Sequence, residues 1–294
     1  MNPKVFEPYV SWLFGRGVTD AYGVMLGVSF IIGTPLVAYC ARLLGLPRWK
    51  LLTVLAITLP SGLLGARVFH ILFDGSLDRY LGYYRYGGLA YFLARSFTPF
   101  KGGWVFYGAL IGACAAGTLT AWVLFKGRRE DILRVYDVAA APSAMGIGVT
   151  RLGCFLSGCC FGVRCDALGV EFSRKSQAYA WLNRQGLIEA ADHTPPLLPT
   201  QLAEGLFCLG VFVYLMVLLE RRGRQPPLTY FSILMVAYAS FRFVEEFFRV
   251  DPRGQLLFLS TSQWISLAVG GAALFVLRRI ARLKRESKAR PTST

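Results

Sequence analysis

Seven ionisable side chains fall within runs otherwise too apolar to hold charge: Arg67, Asp137, Arg151, Glu204, Arg242, Glu245 and Glu246. One charge at the centre of a bilayer costs ~2.5–3.5 kcal/mol on insertion scales, so each needs a partner or a task. Arg67 and Asp137 suit equally a helix-end position from which the side chain reaches the headgroup layer. Arg151 and Arg242 do not. Arg151 sits among small residues, in Gly146-Ile147-Gly148-Val149-Thr150-Arg151-Leu152-Gly153, where helices approach closely. Arg242 is followed four residues later by Glu246, on the same helical face. A guanidinium makes forked bonds to phosphate oxygens and stays charged when desolvated. Two of them at headgroup depth suit a phosphate-bearing lipid, and nearby carboxylates would hold them when the lipid is absent.

A second cluster carries thiols. Four of the seven cysteines, Cys154, Cys159, Cys160 and Cys165, fall within a single short segment. Three readings are open. Disulfides form if the segment faces an oxidising compartment. Buried free thiols are the second reading. A zinc or iron–sulfur site is the third, although the spacing lacks a C-x-x-C pair and the chain's two histidines, His70 and His193, are distant in sequence. Cys159 and Cys160, being adjacent, would close a strained ring with each other. A disulfide reading therefore pairs Cys154 with one of them and Cys165 with the other. Cys40, Cys114 and Cys208 lie in apolar runs and read as packing residues.

Helices must position these groups. Hydrophobic residues make up 54% of the 294-residue chain, charged residues only 17%, and the mean hydropathy is +0.46. Such a balance excludes an ordinary soluble domain. Seven apolar runs are long enough to cross a bilayer, near 21–40, 51–73, 104–125, 135–153, 201–219, 228–248 and 262–277. The fold class expected is an all-α polytopic membrane protein with about seven transmembrane helices. Residues 1–20 carry Glu7 and Asp20 and no long apolar core, so the first run reads as a retained helix rather than a cleaved leader. Residues 1–285 read as one membrane domain, with long external segments at 74–103 and 163–199. The first is rich in tyrosine and suits the interface; the second is polar enough for a small cap. Residues 286–294 read as a disordered basic tail.

The net charge of +15 could suggest nucleic acid, but the basic residues flank apolar runs, as membrane topology requires. On one set of alternating loops, including the carboxyl-terminal tail, 17 basic residues face four acids, a net of +13. On the other set 12 basic residues face nine acids, a net of +3. The more positive side is cytoplasmic by this rule, which leaves the amino terminus periplasmic and the carboxyl terminus inside. No nucleic-acid partner is expected.

The run from Arg151 to Gly162, Arg-Leu-Gly-Cys-Phe-Leu-Ser-Gly-Cys-Cys-Phe-Gly, resembles the signature Arg-Ile-Gly-Asn-Phe-x-Asn-Gly-Glu-x-x-Gly of the prolipoprotein diacylglyceryl transferases. Other pieces are similar in the same order. They are Tyr22-Gly23 at the first helix, Gly65-Ala66-Arg67 in the second, and Gly102-Gly103-Trp104-Val105-Phe106-Tyr107-Gly108 before the third. Pro199-Thr200-Gln201-Leu202-Ala203-Glu204 resembles Pro-Ser-Gln-Leu-Tyr-Glu, and Phe241-Arg242-Phe243-Val244-Glu245-Glu246-Phe247-Phe248-Arg249 resembles Phe-Arg-Phe-x-x-Glu-x-x-Arg.

The resemblance implies an inner-membrane enzyme that moves the diacylglyceryl group of phosphatidylglycerol onto the lipobox cysteine of a prolipoprotein signal peptide. A thioether forms and glycerol phosphate leaves, with no cofactor and no metal. It further implies catalytic roles for Arg151, Arg242, Glu246 and Tyr107. Arg151, Gly153, Arg242, Arg67, Tyr22 and Glu204 would bind the lipid. Thioether formation needs one thiol, which the acceptor supplies, so Cys154, Cys159, Cys160 and Cys165 are expected to be structural. Three positions depart from the family pattern: Tyr107 replaces a histidine, Cys154 an asparagine and Cys159 a glutamate. They leave two alternatives: a member acting on another acceptor or anionic lipid, and a membrane thiol–disulfide redox protein.

The loop asymmetry generates a topology test. A reporter active only in the cytoplasm should work when fused after Thr294 and stay silent near Asp192. The reverse pattern would overturn the orientation.

Overall fold

The computed structural model describes residues 19–73, 77–96, 106–188, 192–250 and 255–289. The described chain is nearly all helix: α1 (Thr19–Leu43), α2 (Arg48–Phe73), α3 (Leu77–Ser96), α4 (Phe106–Leu124), α5 (Arg129–Ser157), α6 (Gln177–Arg184), α7 (Thr200–Arg222), α8 (Thr229–Glu245) and α9 (Thr261–Ala289). A hairpin of Gln255–Leu256 and Leu259–Ser260 precedes α9. Each of the seven apolar runs falls on a helix. Among the described residues α1, α2, α5, α7 and α9 are long and apolar enough to span a membrane. The apolar part of α4 is shorter, and α8 has 17 residues but is extended by a 3-10 turn to Phe248. The outer faces are apolar, as hydrocarbon demands: Ile31 is 75% exposed and Leu206 71%. The protein is an all-α, polytopic membrane protein.

The chain divides into two compact units, residues 45–135 and residues 1–44 with 136–294. In the smaller unit α2 and α4 meet along a seam of small residues. A Cβ on Gly65 would strike the Gly108 carbonyl, and one on Gly112 would lie 2.5 Å from the Ser61 carbonyl. Only glycine permits backbones this close, the usual means of helix association where no hydrophobic effect operates. The tyrosine-rich segment contains α3, where Tyr80, Tyr83 and Tyr91 meet edge to face. Gly88 breaks its helical geometry with φ 68°.

In the larger unit α5 is the inner helix, with Ala140, Ala141 and Ala144 fully buried. Gly153 brings it against α1, since a Cβ there would lie 2.8 Å from the Cα of Tyr22. Gly148 brings it against α7, where a Cβ would meet Leu209 at 2.7 Å. Asp137 does not snorkel from a helix end: it is 1% exposed, and its carboxylate accepts from the amides of Leu228 (2.7 Å) and Phe231 (3.0 Å). It thereby caps α8, whose own preceding residue, Leu228, is left-handed and offers no cap. Between α5 and α7 a small core of its own gathers Phe161, Phe172, Ala178, Leu182 and Leu197. Helix α9 continues to Ala289, so the segment expected to be a tail begins helical.

Capping from another helix predicts a stability effect. Asp137→Ala removes both acceptors from the α8 amides and should cost ~1–2 kcal/mol. Thermal unfolding in detergent should show a lower midpoint, and an unchanged one would exclude the cap.

Candidate active site

The larger unit gathers the sequence motifs at the carboxyl end of α5. Arg151, on its penultimate turn, donates from Nη2 to Glu204 Oε1 at 2.7 Å. Glu204, in the second turn of α7, has no exposed surface, while the arginine side chain keeps 17%. The same carboxylate oxygen accepts from Tyr238 Oη of α8 at 2.9 Å. Residues 238, 242 and 245 share one face of α8 by their spacing of four and three. Arg242 Nη1 donates to Glu245 Oε2 at 2.9 Å, and its Nη2 stands 2.5 Å from Glu246 Oε2 as an ion pair. Glu245 lies within electrostatic reach of Glu204, Arg151 and Arg249, so the two arginine clusters form one network. Tyr22 of α1 is within reach of Arg151 and of the thiols.

The thiols lie beside this network. Cys154 Sγ is 3.9 Å from Arg151 Nη1. After α5 the chain turns at Gly158 (φ 65°) and Cys160 (φ 61°), and the Cys159 amide donates to the Cys154 carbonyl at 3.1 Å. Helix α7 holds this turn from its first residues: Gln201 Nε2 donates to the Cys159 carbonyl (2.6 Å) and Thr200 Oγ1 to the Cys160 carbonyl (2.7 Å). The turn is also tied to the end of α8, because the Val163 amide donates to the Phe248 carbonyl at 2.9 Å. The neighbouring Cys154 and Cys159, with Arg249 and Arg151 behind them, lower the pKa of Cys160. The neighbouring Cys154 and Cys160, together with burial, raise that of Cys159.

All seven cysteines are free, so the disulfide pairs that were one expectation are not formed. The Sγ atoms of Cys154, Cys159 and Cys160 lie within 4.8 Å of one another, and Cys165 stands outside that group. Cys40 and Cys208 are buried as expected, but Cys114 is exposed on the outward side of α4 rather than packed.

The other expected site residues divide. Gly153 serves the close approach of α1, as above. Arg67 belongs to the smaller unit, where it is 2% exposed with its guanidinium 5.6 Å from the Tyr80 ring. Tyr107 stands in the first turn of α4, and its side chain lies outside the described residues. Sequence reasoning passed over Tyr238, Gln201 and Thr200. Tyr238 could have been found four residues before Arg242, on the same face.

The sequence matches the family model described as prolipoprotein diacylglyceryl transferase over residues 10–278. It is similar to phosphatidylglycerol–prolipoprotein diacylglyceryl transferase 2 of Clostridium perfringens (strain 13 / Type A), at 29% identity over 273 residues, covering 91% of this chain and 94% of that protein. It is 27% identical to the phosphatidylglycerol–prolipoprotein diacylglyceryl transferase of Clostridium tetani (strain Massachusetts / E88) over 282 residues, 94% of this chain and 96% of that one. The protein of the same name from Prochlorococcus marinus (strain MIT 9303) is 26% identical over 278 residues, 87% of this chain and 86% of that one.

A buried pair predicts non-additive energetics. Glu204→Gln strips Arg151 of its counter-ion and should destabilise by ~3–5 kcal/mol, because a buried charge is left unmatched. Adding Arg151→Met should recover part of that loss. Denaturant unfolding in detergent measures both, and simple additivity would exclude the coupling.

Proposed function

The chain belongs to the prolipoprotein diacylglyceryl transferase family, and from that premise we propose that it transfers the diacylglyceryl group of phosphatidylglycerol to the lipobox cysteine of prolipoproteins in a bacterial inner membrane. The observation that carries the reading is the asymmetry of the Arg151–Glu204 pair. The carboxylate is enclosed, while the arginine side chain keeps 17% of its surface exposed. An arginine anchored from behind in this way has donors left for an incoming phosphate. Arg151 holds the lipid phosphate, and Arg242, braced by Glu245 and Glu246, stabilises charge gathering on it. The acceptor thiol gives its proton to solvent, and its sulfur attacks the diacylglyceryl carbon bonded to the phosphate oxygen. That carbon–oxygen bond breaks, and glycerol phosphate leaves with the electron pair. Tyr22 and Glu204 act as positioning residues around Arg151. By the family resemblance Arg67 is a further lipid-binding residue in this reading, and Tyr107 stands at the sequence position of the family's histidine. The amino terminus lies outside and the carboxyl terminus inside.

The thiols at two signature positions favour a second reading, in which the acceptor is a different thiol and the lipid step is unchanged. Reconstitution with phosphatidylglycerol and a lipobox peptide, read by mass spectrometry, separates them. The expected product carries a diacylglyceryl thioether. Arg151→Lys and Arg242→Lys keep the charge but lose the fork, and each should lower the rate by about 100-fold or more. Near-normal transfer by both variants would remove the phosphate clamp. Lipid consumption only with non-lipobox thiols would select the second reading.

A further inference from the structure

We infer that Cys154, Cys159 and Cys160 form a three-thiolate site for a thiophilic divalent metal, foremost zinc, whose fourth position takes the acceptor thiol. The second half rests on the transfer reading above; the metal site itself does not.

The geometry comes first. The three Sγ atoms lie within 4.8 Å of one another. Zinc–sulfur bonds of ~2.3 Å in a tetrahedron set sulfurs roughly 3.8 Å apart. Side-chain rotation of about an ångström would close the group. The backbone is shaped for this gathering. Cys160 is a non-glycine residue held left-handed, a conformation that persists only where surroundings impose it. Thr200 and Gln201 impose it by gripping the carbonyls on either side of the Cys160 α-carbon. An odd number of clustered thiols also argues against a purely oxidative role. One disulfide would use two and strand the third, whereas a metal uses all three. Soft thiolate ligands select zinc or copper(I) over hard cations.

Charge and coordination number agree. Three thiolates around a divalent ion leave one negative charge, and Arg151 Nη1 stands 3.9 Å from Cys154 Sγ. Among the described residues no fourth cysteine, histidine or carboxylate joins the group. Glu204 is already engaged by Arg151 and Tyr238. Three protein ligands with an open position mark catalytic rather than structural zinc. A thiol that enters that position is deprotonated outright, its proton passing to solvent. The bound sulfur then attacks the diacylglyceryl carbon, the carbon–oxygen bond breaks, and glycerol phosphate leaves. The thioether product has lost its negative charge and dissociates from the metal.

The test uses the full chain purified in detergent without reductant or chelator. Elemental mass spectrometry should find about one zinc per chain. Exchange into cobalt(II) should give the near-ultraviolet absorption of thiolate-to-metal charge transfer in the unmutated protein, which needs no variant to fold. Cys160→Ser should lose the metal, and Cys165→Ser should keep it. A lipobox peptide should shift the cobalt bands, and the same peptide with serine for cysteine should not. Absence of both zinc and cobalt uptake, or uptake retained when all three cysteines are serine, would overturn the site. Transfer that proceeds in metal-free protein would overturn the metal's role and leave the transferase reading standing. Stoichiometric metal with no transfer to any lipobox peptide would do the opposite. A cobalt spectrum indifferent to the cysteine peptide would overturn the fourth-position assignment.

Discussion

Charge inside hydrocarbon must be matched, and the larger unit is organised around meeting that constraint at one place. Arg151, Glu204 and Tyr238 come from three helices, and each would be costly alone. Together they fasten α5 to α7 and α7 to α8. Arg242 with Glu245 and Glu246 extends the same network down α8. Gly148 follows from this demand. It lets α5 and α7 come close enough for side chains of fixed length to meet.

The network is therefore both a brace and a site. Replacing a buried ion pair by apolar residues of similar volume is often neutral or stabilising, so a stability argument alone does not account for it. What the pair supplies is an arginine held in place by an enclosed carboxylate and still partly exposed. The turn after α5 completes the arrangement, because the residues that steady it, Thr200 and Gln201, begin the helix that carries Glu204. A displacement of α7 would move the thiols and the arginine together.

Relations within one element were legible in the sequence. The seven apolar runs, the misfit of Arg151 and Arg242, and the pairing of Arg242 with a carboxylate four residues on all follow from length or periodicity. Glu245 shows the limit of that reasoning. Three and four residues are both one turn, and the structure uses both acids. Relations between elements were not legible. Tyr238 and Glu204 are 34 residues apart, and Asp137 and Leu228 are 91 apart, with no spacing rule to join them. The grouping of the thiols was not legible for a related reason. Spacing compares cysteines along an extended chain, whereas the turn with a left-handed residue at Cys160 brings three sulfurs within 4.8 Å of one another. Family resemblance supplied the order of the motifs, and the fold supplies their convergence in one unit for all but the pieces on α2 and α4.

The cap on α8 also bears on how the protein is made. Asp137 leaves the ribosome long before Leu228 and Phe231, the residues whose amides it accepts. During synthesis the carboxylate enters the bilayer before the amides it accepts, and α8 later arrives with its first amides bare. Neither segment is comfortable in lipid until they dock. The penalty each carries becomes a driving force for α8 to seek α5, rather than drift away or pair with another chain. A truncated product ending before α8 would keep this acid in the membrane without the α8 amides it accepts, the kind of defect by which quality-control proteases recognise an unfinished protein.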